Sequence, residues 1–311
     1  MLLSKCRSLV FKAYGITENT GPEAPLPMGL PTSLNRAALP VIWGTAPQYV
    51  VSPKADGRRV VVGFLTQTAF TLDRANTGKH FPSWQPHEAA WQGTVLDVEW
   101  VTTPQRRRIL WIFDALMIHG HSVRSKPYHH RLAAAQLFLD EWQRARRLST
   151  VPWPHEAPGA LPHTGAFLVL DPHTYWSIKP LWYHTEVASA LQWSQTLGEW
   201  LPQDGLVYTP VTRSAPVFRS LDVYKWKPVE RQTVDFLVRR VEGDPTRMDL
   251  LVVDEHNQLQ TFASVPLRSD QQELRAGLVY ECRWDQGSWV IHLARSDKKE
   301  PNAFFTAKRT C

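Results

Sequence analysis

The sequence predicts an α+β fold in two domains, and three observations carry that prediction. The chain has 311 residues, a comfortable length for two domains because single hydrophobic cores stop growing near about 250–300 residues. Residues 49–74 and 94–118 alternate β-branched and aromatic residues with turn formers, as successive antiparallel strands do, while two longer windows carry helical spacing. From Thr233 the character changes to short strands separated by polar turns. The expected organisation is an arm at 1–32, a sheet-rich domain with flanking helices at 33–229, and a smaller all-β domain at 230–311.

Composition bounds the function. The chain is 43% hydrophobic and 21% charged, which excludes the profile of a disordered protein. Lys and Arg outnumber Asp and Glu by 35 to 29, for a net +6; that excess is compatible with a polyanionic partner and equally with an ordinary basic surface. Cys6, Cys282 and Cys311 are odd in number and scattered, so neither a disulfide framework nor a cysteine zinc site is expected. The opening MLLSKCRSLVFKAYG has an apolar run too short for a bilayer and no small-residue cleavage pattern, so an intracellular protein without a membrane partner is expected.

Taken in order, residues 16–32 are rich in Pro, Gly and polar residues and read as a linker. The run YVVSPKADGRRVVVGFLTQTAFTLDR from Tyr49, then Thr94–Val101 and Arg108–Ile118, read as strands. Pro127–Arg147 places Leu132, Ala135, Leu137, Leu139 and Trp142 at apolar positions and ends in basic residues, the sign a helix C-terminus favours. A Pro-rich loop follows, then extended GAFLVLDPHTYW and IKPLWY, a helix over Glu186–Leu201, and the strands DGLVYTPV and LDVYKWKP, the latter closed by Pro228. TVDFLVRRV, MDLLVVD, QLQTFASV, LVYECRWD and GSWVIHLAR are five short strands in a small domain, for which a five-stranded oligonucleotide-binding (OB) barrel is the usual compact solution.

The hexapeptide Lys54-Ala55-Asp56-Gly57-Arg58-Arg59 matches K-x-D-G-x-R where a strand turns back. Alone it is also what a β-turn with an Asp-Gly step and a solvated lysine looks like. Its company removes that reading. In order follow Leu72-Asp73-Arg74, LDVE ending in Glu99, FDALMIHGHSV from Phe113 to Val123, Asp204-Gly205 ending in Thr209-Pro210, YKWKP from Tyr224 to Pro228, TVDF, and RSDKKEPN from Arg295 to Asn302. A lysine amine attacks phosphorus only when unprotonated, while the reference pKa of about 10.4 leaves almost none neutral at pH 7. Neighbouring cations, a metal and burial are the means of depressing it, and the same cations neutralise charge on phosphates during displacement.

That order and spacing resemble the covalent nucleotidyltransferase superfamily, shared by mRNA-capping enzyme guanylyltransferases and the DNA and RNA ligases, over residues from about 30 to 303. The resemblance implies an ATP-grasp-like nucleotidyltransferase domain followed by an OB-fold domain that carries the last motif. Asp-Gly ending in Thr-Pro where ligases carry Glu-Gly and Lys, together with K-W-K-P, T-V-D-F and R-x-D-K-x-x-P-N, looks like the capping branch. The alternative is an ATP-dependent polynucleotide ligase, which would use Lys54 for AMP. For a capping enzyme the resemblance implies a Lys54–GMP adduct formed from GTP, with GMP passed to an RNA 5′-diphosphate end. Asp56, Gly57, Arg59, Arg74, Lys225 and Lys227 would serve the nucleotide, with Phe113 stacking on its base and Ser122 and Lys179 selecting guanine. Glu99 and Asp204 would hold Mg2+ or Mn2+, whose oxygen preference they match, and Arg295, Asp297 and Lys298 would approach the β- and γ-phosphates when the cleft closes. RNA triphosphatase, cap methyltransferase and RNA polymerase subunits are the implied partners, in a nucleus or, for a viral enzyme, in a viral factory or virion. Two departures stand out: Val98 replaces the glycine between the acidic residues of the third motif, which would put a branched side chain near the sugar site, and His119 replaces the turn asparagine.

Overall fold

The computed structural model describes residues 2–17, 21, 24–44, 48–66, 68–81, 91–153, 157, 160–161, 166–198, 201–268, 274–296 and 298–310. They form two compact units, Met1–Trp226 and Lys227–Cys311. The first unit runs α1 (Leu2–Ala13), β1 (Leu30–Ser33), α2 (Leu39–Ile42), β2 (Tyr49–Ala55), β3 (Arg58–Leu65), β4 (Thr68–Leu72), β5 (Gly78–Phe81), β6 (Val95–Thr102), β7 (Arg108–Ile118) and β8 (His121–Ser122). It continues with α3 (Tyr128–Arg146), β9 (Thr150–Pro152), β10 (Ala166–Asp171), β11 (Thr174–Ile178), β12 (Trp182–Tyr183), α4 (Val187–Leu197), β13 (Gln203–Pro210) and β14 (Arg219–Trp226).

These strands make two sheets. One has the order β1-β14-β13-β2-β12, and the other β5-β4-β3-β6-β7-β11-β10-β9 with β8 paired to β7. Neighbours are antiparallel, as the alternation predicts, except for the parallel pairs β1–β14 and β7–β11.

The period of two sorts side chains between the faces of the larger sheet. Val60, Val62, Phe64, Leu96, Val98, Leu110 and Ile112 point one way, into a core closed by Leu132, Ala135, Phe138, Leu139 and Trp142 of α3. Leu137, expected among the apolar positions of this helix, is 64% exposed; Phe138 takes the buried place instead, because it falls one turn after Ala135 on the same face. Val101, Ile109 and Trp111 point the other way and meet Tyr49, Val51, Leu206 and Tyr208 of the smaller sheet and Trp193 of α4.

Part of the segment expected as an arm is instead a packed helix. Cys6, Val10, Phe11 and Tyr14 bury against Val61, Phe70, Leu72, Val95 and Leu116, because α1 offers its apolar side to a patch of the larger sheet that the smaller sheet leaves uncovered. Arg7 ties the following loop back by donating to Ala24 O at 2.9 Å.

In the second unit β15 (Thr233–Val241), β16 (Asp244–Val253), β17 (Leu259–Pro266), β18 (Val279–Asp285) and β19 (Ser288–Ala294) precede a short α5 (Phe304–Thr310). Their order is β17-β16-β15-β18-β19, all antiparallel. Phe236, Phe262, Trp289 and Phe304 pack edge to face or tilted at its centre. Among the described residues no ladder joins β17 to β19, which suits the partly open barrel of the OB fold. No helix among the described residues is long and apolar enough to cross a membrane.

The buried thiol of Cys6 is pushed up to about 11 by loss of solvation, so at pH 8 only about one part in a thousand is the reactive thiolate. Iodoacetamide should therefore leave Cys6 unmodified in the native protein and alkylate it in urea, as mass spectrometry of tryptic peptides would reveal. Rapid native alkylation would mean that α1 is not docked.

Candidate active site

The site is built where the chain passes from one sheet to the other. Lys54 lies near the end of β2 in the smaller sheet, and Arg59 near the start of β3 in the larger one. Asp56 and Gly57 make the step between them, with Asp56 N donating to Pro202 O at 2.9 Å. Gly57 is required there by close approach: a Cβ would lie 2.8 Å from Trp100 O and 2.9 Å from a Val101 methyl. Both residues open onto a basic depression lined by Arg58, Lys79, Trp100 and Arg108.

Lys54 Nζ donates to Asp204 Oδ1 at 2.6 Å. The pairing of β13 with β2 produces this contact, since Gly205 lies opposite Lys54 in the register. A second ion pair joins Lys179 Nζ to Glu99 Oε2 at 2.6 Å, with Lys179 only 3% exposed. The Lys179 ammonium also sits 5.2 Å from the Trp111 ring centroid and 5.5 Å from that of Phe113. Lys179 is brought here by its backbone, whose N–H donates to Ile112 O at 2.7 Å as an extension of the β7–β11 pairing.

Phe113 has a cation against its ring from a second direction, the Arg59 guanidinium at 5.1 Å. Such contacts favour the charged form and fix the ring. Arg59 in turn donates from Nε to Asp97 Oδ1 at 2.8 Å, from Nη2 to Asp97 Oδ2, and from Nη1 to Gly29 O. Burial opposes the charge on Arg59, but the Asp97 carboxylate outweighs it and pushes the guanidinium pKa up. Tyr14, just after α1, completes the group, its hydroxyl donating to Asp97 Oδ2 at 3.0 Å.

Behind the site a second buried pair braces β7. Arg131 of α3 binds both oxygens of Asp114, at 2.7 and 2.9 Å, and donates to Lys126 O and Arg213 O at 2.7 Å each. Burial raises the Asp114 pKa even so, with Arg131 opposing and Asp97 adding to the rise. Tyr128 donates to Phe113 O at 2.6 Å.

Of the residues expected from the sequence, the structure thus gathers Arg59, Glu99, Phe113 and Lys179 on the larger sheet and joins Lys54 to Asp204 on the smaller one. Lys225 lies on β14, beside β13. Arg74 lies exposed in the turn after β4, and Ser122 exposed on the two-residue β8. In the second unit, Arg295 Nη1 is 2.9 Å from Asp235 Oδ1 and Lys298 pairs with Asp235 Oδ2. Asn302 exchanges two further bonds with the Asp235 backbone, at 2.7 and 2.9 Å, so the TVDF and RSDKKEPN segments form one cluster. Lys227 opens this unit, half-buried, with its carbonyl accepting from Gln232. Asp297 lies outside the described residues.

Both departures from the family pattern have physical accounts. Val98 does not approach the site: it is fully buried on the α3 face because its neighbours Asp97 and Glu99 take the other one. His119 adopts φ 51°, in the left-handed region where Asn, Asp and His are the enriched non-glycine residues. Its ring packs on Phe138 at 5.9 Å and its Nε2 lies 3.2 Å from Glu141.

Sequence reading missed Tyr14, Asp97, Asp114, Tyr128 and Arg131. Asp97 and Asp114 stand inside the quoted motifs, where an acid on a strand otherwise reading as core is itself a signal of a buried partner. Tyr14 and Arg131 carry no such local signal.

As to oxygen-loving cations, Glu99 and Asp204 present carboxylate oxygens, and no cluster of three or more His, Cys, Asp or Glu occurs among the described residues. That donor set fits Mg2+, which is commonly held by one or two carboxylates together with substrate phosphates.

Comparison with known proteins adds the following. The family model described as mRNA capping enzyme, catalytic domain, matches residues 7–150, and that described as mRNA capping enzyme, C-terminal domain, matches 218–311. The mRNA-capping enzymes of Mus musculus and Danio rerio are each 32% identical over 113 residues, covering 35% of this chain and 18% of theirs. The chain thus aligns with less than a fifth of the length of these relatives. Among solved structures, a mycobacterial DNA ligase D complexed with ATP and MES superposes with a TM-score of 0.50 at 17% identity, covering 90% of this chain and 98% of that one, a likeness of fold.

Because Asp97 is buried, removing its partner should leave an uncompensated charge. Arg59→Ala should lower the unfolding free energy by about 3–5 kcal/mol, measured by urea titration. A loss below 1 kcal/mol would mean that the pair is solvated.

Proposed function

The chain belongs to the mRNA capping enzyme family, and on that premise we propose that it is an mRNA guanylyltransferase acting through a covalent Lys54–GMP adduct. The observation that carries the reading is the Lys54 amine held at 2.6 Å from Asp204, five residues before an Arg59 whose guanidinium is already fixed.

In the first step the unprotonated amine of Lys54 attacks the α-phosphorus of GTP. A P–N bond forms, the P–O bond to the β-phosphate breaks, and pyrophosphate departs with the bonding pair. Asp204 is the base within reach of the Lys54 proton. In the second step a terminal oxygen of an RNA 5′-diphosphate attacks the same phosphorus, and Lys54 leaves as an amine, which takes up a proton. The product is a GpppN end.

The remaining residues serve binding and charge. Three of the five Arg59 N–H bonds are used within the protein, which leaves two for ribose or phosphate. Asp56, Gly57, Arg74, Lys225 and Lys227, with Arg295, Asp297 and Lys298 of the second unit, are proposed for the nucleotide and its phosphates. Lys179 and Ser122 are proposed for guanine, with Phe113 as the apolar surface for the base. Glu99 and Asp204 would hold the Mg2+ or Mn2+, which would supply positive charge to the phosphates. The 5′-diphosphate acceptor would be supplied by an RNA triphosphatase and the product passed to a cap methyltransferase.

Incubated with α-labelled GTP and Mg2+, the protein should take up label that survives denaturation and alkali and is released by acid, since protonation makes the phosphoramidate nitrogen a leaving group. Lys54→Arg keeps the charge but offers no free amine, so it should take up none. Glu99→Ala and Asp204→Ala should each slow labelling at limiting Mg2+. The labelled enzyme should pass GMP to RNA with a 5′-diphosphate and not to a 5′-monophosphate. Label from ATP alone would move the chain to the ligase reading, and labelled Lys54→Arg would remove the nucleophile.

A further inference from the structure

We infer that Tyr14, in the turn that follows the N-terminal helix α1, is a positioning residue for the nucleotidyl transfer, acting on Arg59 through Asp97. The inference rests on the reading above, in which Arg59 faces the nucleotide, and adds to it a residue from outside every motif.

The contacts form a relay from Tyr14 through Asp97 to Arg59. The Tyr14 hydroxyl donates to Asp97 Oδ2 at 3.0 Å, and the same carboxylate receives Nε and Nη2 of Arg59 through its two oxygens. Asp97 is 2% exposed and Tyr14 1%, so water has no access to replace either partner. A bidentate carboxylate fixes the plane of a guanidinium only if the carboxylate itself cannot turn. The backbone of Asp97 is held by the unbroken register of β6 with β3, where it faces Val61, but that register leaves the side-chain torsions of the carboxylate free. The hydroxyl of Tyr14 supplies the missing restraint.

The plane of Arg59 matters in two ways. It sets the stacking on Phe113 at 5.1 Å, and it aims the two N–H bonds left for a ligand. A guanidinium free to swing about one carboxylate oxygen would spend its donors elsewhere, with loss of the preorganised field that displacement at phosphorus needs. Tyr14 can hold this role across the working pH range, because burial and then the adjacent Asp97 raise its pKa well above the ordinary phenol value, leaving the proton in place to be donated.

Among the described residues, Asp97 is the partner that calls for the Tyr14 hydroxyl. Its ring belongs to the apolar cluster of Val10, Phe11, Val61, Val95 and Leu116, where phenylalanine would serve equally well. Packing and positioning are therefore separable at this one atom.

The test is a double-mutant cycle on the full chain, comparing parent, Tyr14→Phe, Arg59→Lys and the double variant. Each is measured for the rate of adduct formation at saturating nucleotide and for melting temperature. Tyr14→Phe should slow labelling about tenfold in the parent, the size expected for one hydrogen bond to a charged group. With Arg59→Lys, which keeps a charge but has no planar fork to orient, it should slow labelling less than about twofold. The small melting shift should be alike in both backgrounds. An equal loss of rate in the two backgrounds, or no loss in the parent, would overturn the inference while leaving the guanylyltransferase reading intact. If the parent is labelled by ATP in place of GTP, the same cycle applies with ATP. If the parent takes no label, the cycle is read in its affinity for GTP by equilibrium dialysis, with the same non-additivity expected. A parent that neither takes label nor binds nucleotide would overturn both.

Discussion

The pair of Arg59 and Asp97 is the constraint around which the first unit is arranged. Two charges withdrawn from water are tolerable only when each satisfies the other and the remaining donors and acceptors find partners. Here those partners come from three separate stretches of chain: Tyr14 just after α1, Gly29 before β1, and the ring of Phe113 on β7. The helix, the first strand and the middle of the large sheet are thereby fixed to one point. Burying a carboxylate as fully as Asp97, against an arginine that keeps 22% of its side chain exposed, costs more stability than an apolar pair would, so the pair's retention is best understood as the setting of a direction.

The same economy of position explains the lysine. The K-x-D-G-x-R segment is read as a motif of chemistry, yet Gly57 and Ala55 answer to geometry. Gly57 is there because β3 passes too close to Trp100 and Val101 for any side chain. Ala55 is buried beneath the small sheet. Only with this tight step can the chain deliver Lys54 on one sheet and Arg59 on the other.

What could be read from the sequence followed the range of each interaction. Strands and helices depend on local spacing, and β7 and β15 run over the residues expected, Arg108–Ile118 and Thr233–Val241. Helix α3 was legible except at Leu137, where alternation within the apolar window misassigned one place. Helix α1 carries apolar residues at helical spacing, Cys6, Leu9, Val10 and Ala13 among them, but its docking depends on a bare patch of sheet made by β3, β4 and β6 far along the chain, which no local pattern reveals. For the candidate site, motif order marked Lys54, Arg59, Glu99, Phe113, Lys179 and Asp204, but not which carboxylate each cation would meet. Tyr14 and Arg131 were invisible for the same reason: their partners lie 83 and 17 residues away and no spacing rule connects them. Val98 was misread because its face of the strand could be settled only by knowing where the acids beside it pointed.

The parallel pairing of β1 with β14 has a consequence in time. Thr32 meets Ser220 across 188 residues of chain, a separation that makes closure of this edge among the slowest events open to the first unit, because chain entropy must be surrendered before the contact returns anything. During synthesis the edge cannot form until residues near 225 have left the ribosome. Gly29, whose carbonyl takes the last internal bond of Arg59, lies on that same late segment. The Arg59 guanidinium is therefore fixed only when nearly the whole unit exists, and a nascent chain shorter than that holds Lys54 without the arginine that the proposed function assigns to the nucleotide.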